Sequence, residues 1–347
     1  MQNPSSILAA TLQSSVRVNV QTNARLHMGF FDLHGGLGRK FGSIGLSLNA
    51  PQLALSATLA NTLSVQCATD IPQANALAIT ARAHQITAKL LQTLKLQNNV
   101  AIHINAMIQE HAGLGSGTQL ALAIGHAINQ LFQLNLSTAQ IAMLTGRGGR
   151  SGIGIAAFDQ GGLLIDGGRV SHADNAQKVA IPPLLARYDF PEGWQVLLIL
   201  DTSQPGIHGD EERTAFSQLP VFSENIAAHL CRHVLMQAMP AIAEQDLTAF
   251  GQSIQTLQAH VGDYFAPAQG GRYASKRVGA VLEYLEKNGV ACFGQSSWGP
   301  TGFAVFENST IAAQYLQQLK TVFTDEKLDW QLCVASNRGA SVTTDAI

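Results

Sequence analysis

The stretch that most constrains this chain lies between residues 100 and 131. An alternating run, Val100-Ala101-Ile102-His103-Ile104-Asn105, leads into Glu110-His111-Ala112-Gly113-Leu114-Gly115-Ser116-Gly117-Thr118-Gln119, and a long apolar run over residues 120–131 follows. That order predicts strand, glycine loop and helix. Glycines at every second position let the backbone turn tightly and leave its N–H groups uncovered. The helix that follows aims its unpaired N–H groups and the positive end of its dipole at whatever occupies the loop. This is a geometry for phosphate or pyrophosphate. A tight turn feeding a core helix is the plainer alternative, but a purely structural turn rarely needs so many glycines together with Ser116 and Thr118. The helix over residues 120–131 is apolar on nearly every face, which predicts cover on all sides and makes His126 a hydrogen-bonded core histidine.

Alternating or apolar runs predict strands at residues 16–21, 41–48, 53–63, 163–165, 194–200, 290–293, 303–306 and 330–334. Helical spacing covers 74–94, 137–144 with Ser137 or Thr138 as N-cap, 223–239 stopped by Pro240, 244–261, 273–288 ended by Gly289, and 311–322. Residues 171–191, with Pro182-Pro183 and Pro191, read as a linker. Residues 24–39 are rich in glycine with Arg, His and Asp interleaved, so they read as a substrate loop rather than a core element. Arg25 and Arg39 would serve anions there, and His27 and Asp32 polar contacts; a solvated hairpin is the alternative. Arg25-Leu26-His27 still belongs to a strand, where a charge needs a partner or a ligand.

Further glycine-rich stretches carry chemistry. Thr145 to Gly154 holds Arg147 and Arg150 and no carboxylate, which suits an anion site as well as a flexible surface loop. Asp159 follows it. Gly294-Gln295-Ser296-Ser297-Trp298-Gly299-Pro300-Thr301-Gly302 forms another loop inside a hairpin. Asp210, Glu211 and Glu212 could hold Mg²⁺ with bridging phosphates, or simply make an acidic first turn of a helix.

Composition narrows the class. A chain of 347 residues with net charge −2 has no bulk affinity for nucleic acid. Its four cysteines are scattered without CxxC spacing, which argues against a zinc site. No targeting segment or membrane-length apolar run is read, so a reducing cytoplasm is the expected compartment.

The succession of glycine loops resembles the GHMP superfamily of small-molecule kinases, and the resemblance covers nearly the whole chain. It implies an α+β, two-domain GHMP-kinase-like fold. Residues 1–190 would form an N-terminal domain like ribosomal protein S5 domain 2, and residues 191–347 a ferredoxin-like α/β sandwich. The departures are specific. Kinases of this superfamily follow the central loop with a segment like S-G-x-D, whose Asp prepares the acceptor hydroxyl. This chain has Ser151-Gly152-Ile153-Gly154, and no Asp or Glu from Ser137 to Gly154.

A closer resemblance is to the β-ribofuranosylaminobenzene 5′-phosphate synthase family. It rests on Arg25-Leu26-His27 with Leu37-Gly38-Arg39, on His111 to Leu120, on Gly294 to Thr301, and on Asn337-Arg338-Gly339-Ala340. Such enzymes join phosphoribosyl pyrophosphate to 4-aminobenzoate or 4-hydroxybenzoate with loss of pyrophosphate and CO₂, early in tetrahydromethanopterin synthesis. The resemblance implies small-molecule substrates, Mg²⁺ and a homodimer, with no nucleic acid or membrane partner. On this reading Gly113, Leu114, Gly115, Ser116, Gly117 and Thr118 cradle the pyrophosphate, with Arg147 and Arg150 as clamps. Ser116 and Glu211 are expected at Mg²⁺. Arg25, Arg39 and Arg338 are candidates for the benzoate carboxylate, and Gln295, Ser296 and Ser297 line the substrate site. Asp32 or Asp159 would stabilise an oxocarbenium-like C1. His27 or His111 would exchange a proton with the para substituent.

Overall fold

The computed structural model describes residues 16–171, 181–203, 206, 214 and 218–347. Two long antiparallel strands dominate it, β1 (Val16–Asp32) and β3 (Gly42–Ala60), with the short β2 (Arg39–Lys40) between them. The stretch from Ala24 to Asp32 does not leave the sheet as a loop. Leu26, Met28, Phe30 and Phe31 are buried, so this half of β1 is covered on both faces and its glycine content does not free it. Nor is β3 divided. Pro51 interrupts its pattern, yet the register against β1 steps from Asn23↔Gln52 to Ala24↔Leu48, and this irregularity absorbs the intervening residues.

After β4 (Ser64–Cys67) come α1 (Gln73–Thr93), β5 (Asn99–Ala106), α2 (Ser116–Leu131), α3 (Thr138–Leu144) and α4 (Ile153–Asp159). Ser137 caps α3 in a full capping box with Gln140. β6 (Leu163–Asp166), β7 (Arg169–Val170) and β8 (Leu184–Tyr188) follow. β8 lies where a linker was expected; it pairs with β6, so the prolines before it do not keep the chain off the sheet.

The second half contains β9 (Gln195–Asp201), α5 (Glu224–His233), a π-helical turn (Val234–Ala238), α6 (Met239–Glu244), α7 (Leu247–Gln269), α8 (Lys276–Lys287), β10 (Cys292–Gln295), β11 (Thr301–Phe306), α9 (Ser309–Val322), β12 (Leu328–Cys333) and β13 (Ser341–Ala346). Pro240 does not end the helical run. It stands in the first turn of α6, after the π turn has already shifted the hydrogen-bond ladder.

These strands form two main sheets. One runs β13-β1-β3-β5-β4, with β6 on β3 and β8 on β6; the other runs β10-β11-β9-β12. The last strand, β13, returns to pair with the start of β1, and Asn337 clips the approach by donating to Phe190 O at 2.9 Å and accepting from Phe190 N–H at 2.8 Å. α8 and α9 cover one face of the second sheet through Leu197, Ile199, Val281, Leu285 and Leu319. The other face, with Val196, Leu198 and Phe303, shares a core with Phe250 and Ile254 of α7 and with the first sheet. α7 therefore touches both β1 and β10, and the glycine loops meet where the sheets do.

α2 sits in this core with Leu120, Leu122, Ile124 and Ile128 buried. Gln119 rivets its start: the side chain is fully buried, bonded to the Thr22 hydroxyl and donating to Gly154 O at 2.8 Å. His126 bonds Thr138 Oγ1 at 3.0 Å, and burial pulls its pKa down while Asp159 pushes it up. No helix among the described residues is long and apolar enough to cross a membrane.

Candidate functional site

Three sequence-distant segments are welded at Gly113. Arg25 N–H donates to Leu114 O at 3.0 Å and Arg25 Nη1 to Gly113 O at 2.5 Å. Ser296 Oγ, itself fully buried, donates to the same Gly113 O at 2.7 Å and accepts from His27 N–H at 3.1 Å. Ser297 N–H donates to His27 O at 2.9 Å. The loops approach so closely that a Cβ on Gly113 would overlap the Ser296 carbonyl, and the φ of +81° at Gly113 is itself unfavourable for any side chain. β1, the central loop and the hairpin between β10 and β11 thus form one joint.

Just beyond it, Gly115 takes the N-cap position of α2 with φ +83°, and no side chain caps the helix. The first turn, Ser116-Gly117-Thr118, is ringed by guanidinium groups. A methyl on Gly115 would meet Arg25 Cγ at 3.0 Å; one on Gly117 would meet Arg82 Nη2 at 2.6 Å and Arg147 Nη1 at 3.5 Å. Arg82 pairs with Glu110 at 2.8 Å. Arg147 Nε is buried with no hydrogen-bond partner, and burial followed by the charge of Arg82 pulls the guanidinium's pKa below its usual value. Gathering like charges around an uncapped helix start is costly unless an anion offsets them.

His27 lies behind the joint, 3 % exposed. Neither ring nitrogen has a hydrogen-bond partner. Burial first, then the neighbouring charge of Arg25, with a smaller contribution from Arg150, drives its pKa down to about 3, so the ring is neutral.

The structure therefore brings together Arg25, His27, Gly113 to Thr118, Arg147, Arg150, Ser296 and Ser297. Leu114 serves from below as a core anchor. Gln295 is a buried neighbour whose amide is committed to Ala274 N–H and Ser297 O. His111 flanks the loop with φ +58° and accepts from Gly206 N–H at 2.8 Å. Four candidates are placed elsewhere. Asp32 ends β1, five residues or about 16 Å along the strand from His27, and its carboxylate caps the turn by accepting from His34 and Gly35 N–H. Arg39 is exposed and bonds Gly167 O and Gly168 O, stapling β2 to β7. Asp159 is exposed at the far end of α4 and accepts from Thr138 at 2.5 Å, alongside His126, about 12 Å along α2 from Thr118. Arg338 is exposed in a groove with Arg187. Glu211 lies outside the described residues.

Arg82 is the site residue that sequence reasoning missed. Its place in an alanine-rich amphipathic helix reads as a solvated face, and nothing local marks that α1 packs beside the start of α2.

Comparison with known proteins fits this architecture. GHMP kinases N terminal domain matches residues 79–162, and GHMP kinases C terminal matches residues 238–325. β-Ribofuranosylphenol 5′-phosphate synthase of Archaeoglobus fulgidus is 32% identical over 94% of this chain and 99% of its own length. The chain belongs to the β-ribofuranosylphenol 5′-phosphate synthase family. The synthase of Methanocaldococcus jannaschii is 33% identical, covering 84% of this chain and 90% of its own. Membership in this synthase family makes the chain an enzyme. Homoserine kinase from Cytophaga hutchinsonii shares the fold with TM-score 0.62 at 16% identity, over 96% of this chain and 99% of that one. Mevalonate diphosphate decarboxylase from Staphylococcus aureus does so with TM-score 0.61 at 12% identity, over 94% and 98%. The synthase family thus carries the GHMP kinase fold, with its N-terminal and C-terminal domains.

Proposed function

We propose that this synthase transfers the phosphoribosyl group of phosphoribosyl pyrophosphate to the carboxyl-bearing ring carbon of 4-hydroxybenzoate, forming a C-riboside and releasing pyrophosphate and CO₂. The observation that carries this reading is the uncapped start of α2 ringed by Arg25, Arg82 and Arg147, a cationic cradle matched to a multiply charged leaving group. A hydroxyl rather than an amino acceptor is favoured because the curated relatives are named for a ribofuranosylphenol product. The step would belong to methanopterin-type cofactor synthesis.

In this reaction the C1–O bond to pyrophosphate breaks and its electron pair leaves with the pyrophosphate. C1 bonds to the ring carbon that bears the carboxylate. The bond from that carbon to the carboxylate then breaks, its electrons restore the aromatic ring, and CO₂ departs. Backbone N–H groups at the start of α2 and the arginines stabilise the charge that grows on the leaving oxygen. Holding the ring carbon in line with C1 is positioning by the joint between the loops. Mg²⁺ carried on a pyrophosphate needs few protein oxygens, and the described residues contain no dedicated cluster of three or more His, Cys, Asp or Glu ligands. Ser116 at the helix start fits a phosphate-borne ion, with Glu211 as the proposed second donor. Bound there, Mg²⁺ would neutralise charge on the departing pyrophosphate.

ATP-dependent phosphoryl transfer is the competing reading on this fold. Gly154 argues against it. It packs on Thr118, where an added Cβ would lie 3.1 Å from Thr118 Cγ2, so the position at which GHMP kinases carry their acceptor-activating Asp faces the loop without a carboxylate. The test is incubation with Mg²⁺, phosphoribosyl pyrophosphate and carboxyl-labelled 4-hydroxybenzoate. Labelled CO₂ released only when both substrates are present supports the synthase reading. ATP consumption with a small alcohol and no CO₂ sinks it.

A further inference from the structure

The loop that brings Arg147 and Arg150 to the start of α2 is loose by its own sequence. No helix or strand covers residues 145–152. Gly146 and Gly148 take φ of +68° and +80°, and the space beside Gly149 is open. Glycines give such a loop many conformations to lose when it is ordered. Its entry is tied to α3, where Thr145 Oγ1 donates to Ile141 O at 2.8 Å and Arg147 N–H to Ala142 O at 2.7 Å.

Its exit is tied from another element, by a carboxylate that the reaction above does not use. Asp166 ends β6 and is fully buried. Its Oδ2 accepts from Ser151 Oγ at 2.9 Å, from Gly152 N–H at 2.8 Å and, on the neighbouring strand β3, from Ser43 Oγ at 2.7 Å. Its Oδ1 accepts from Gly168 N–H at 2.8 Å. Burial pushes its pKa up, and these hydrogen bonds pull against that. A carboxylate is costly to bury. Capping the start of α4 does not by itself call for a charge, since a serine hydroxyl serves a helix start. What this charge secures is a fixed point one residue past Arg150, braced on β3. Arg147 stands between that point and the tie to α3, with Nη1 3.5 Å from the place of a Cβ on Gly117. Arg150 is near enough for its charge to help depress the pKa of His27. The loop is thus held toward the cradle.

We propose that Asp166 is a positioning residue for the anion cradle: its buried carboxylate fixes the end of the loop from which Arg147 and Arg150 address the anion. It touches no ligand and acts through the two arginines. The proposal rests on the reading of the start of α2 as a pyrophosphate site and extends it. Without the carboxylate, the loop must be ordered by the anion itself, and that cost is subtracted from affinity.

The test is calorimetric binding of inorganic pyrophosphate with Mg²⁺, alongside thermal unfolding of each variant. Asp166→Ala is expected to weaken pyrophosphate by about tenfold or more. Asp166→Asn separates positioning from bracing. Its amide oxygen can take the bonds from Ser43, Ser151 and Gly152, leaving its NH₂ against Gly168 N–H, so affinity should return to within about threefold while the unfolding temperature stays lowered. Ser151→Ala, which keeps the carboxylate and removes one of its two bonds to the loop, is expected to weaken pyrophosphate by about threefold or more, and it carries the test if Asp166→Ala does not fold. Pyrophosphate affinity within about twofold of the unaltered protein in Asp166→Ala, or in Ser151→Ala where that variant carries the test, overturns the proposal, as does an Asp166→Asn protein that binds as poorly as Asp166→Ala. CO₂ release by the unaltered protein alongside such a result leaves the synthase reading standing. Affinities that fall and recover as expected, in a protein that releases no CO₂, uphold the positioning role and defeat the synthase reading.

Discussion

Two glycine-rich loops bearing arginine look alike in sequence and differ in the fold. The glycine-rich stretch after β1 ends at Arg39, the first residue of β2, which is exposed and has spent its guanidinium on Gly167 O and Gly168 O. The loop before α4 carries Arg147, whose Nε is buried without a partner beside the uncapped start of α2. The first arginine is a staple in a short two-stranded sheet. The second is held, at a cost, in a place where a ligand would satisfy it. What separates a structural from a functional arginine here is whether the fold has already answered its hydrogen bonds.

That contrast is broken or sharpened by substitution. The largest effect is expected at Gly113→Ala, where a Cβ would overlap the Ser296 carbonyl and force the two loops apart. Steady-state kinetics should show kcat/KM down by roughly 100-fold or more, because misplacement of about an ångström at a joint is felt at that scale. Next, Arg147→Ala should raise KM for phosphoribosyl pyrophosphate by about ten- to 100-fold, in line with loss of charged hydrogen bonds, and leave KM for the benzoate within about twofold. Arg147→Lys should rescue only partly, since an ammonium lacks the fork. An equal rise in both KM values would remove the clamp role.

The unpartnered imidazole sets an acid limit on the same side of the molecule. His27 titrates near 3 when folded and near 6.5 when unfolded, so between those values the unfolded chain binds more protons. Its contribution is therefore complete above about pH 6.5 and is lost as pH falls toward 3, with a slope of at most about 1.4 kcal/mol per pH unit. Urea midpoints measured from pH 7 to pH 4 should fall less steeply in His27→Phe; parallel curves would contradict this.

Smaller effects are expected at the periphery. Glu110→Gln releases Arg82 and should change kcat/KM for phosphoribosyl pyrophosphate by about two- to fivefold, the scale of a partly buried ion pair. Arg39→Ala is predicted to be the mildest, with kinetics within about twofold and a stability loss of about 1 kcal/mol or less in chemical denaturation. A large kinetic loss at Arg39 would erase the distinction between the loops.

The local architecture was legible wherever pattern and packing agree. β5, the glycine turn and α2 follow from alternation, Gly spacing and an all-apolar helix, and the hairpin of β10 and β11 follows from its own glycine loop. The sequence misled where tertiary cover overrides composition. Residues 24–32 are glycine- and charge-bearing but belong to a strand buried on both faces. β8 hides among prolines, and β13 finds its partner more than 300 residues away in β1, a pairing no local signal carries. Among the site residues, motif position did not distinguish touching the cradle from bracing it. Gln119 and Asn337 fall in the most distinctive segments and serve as rivets, whereas Arg82, from an ordinary helix face, stands at Gly117.

The central claim is that a kinase-like cradle here holds a pyrophosphate that leaves. Phosphorus NMR of a mixture containing the protein, Mg²⁺, ATP, phosphoribosyl pyrophosphate and 4-hydroxybenzoate tests it most directly. Free pyrophosphate is expected to appear in step with a new ribose 5-phosphate signal while the ATP resonances stay constant. Loss of the ATP γ-phosphate with a phosphorylated acceptor, and intact phosphoribosyl pyrophosphate, would contradict it.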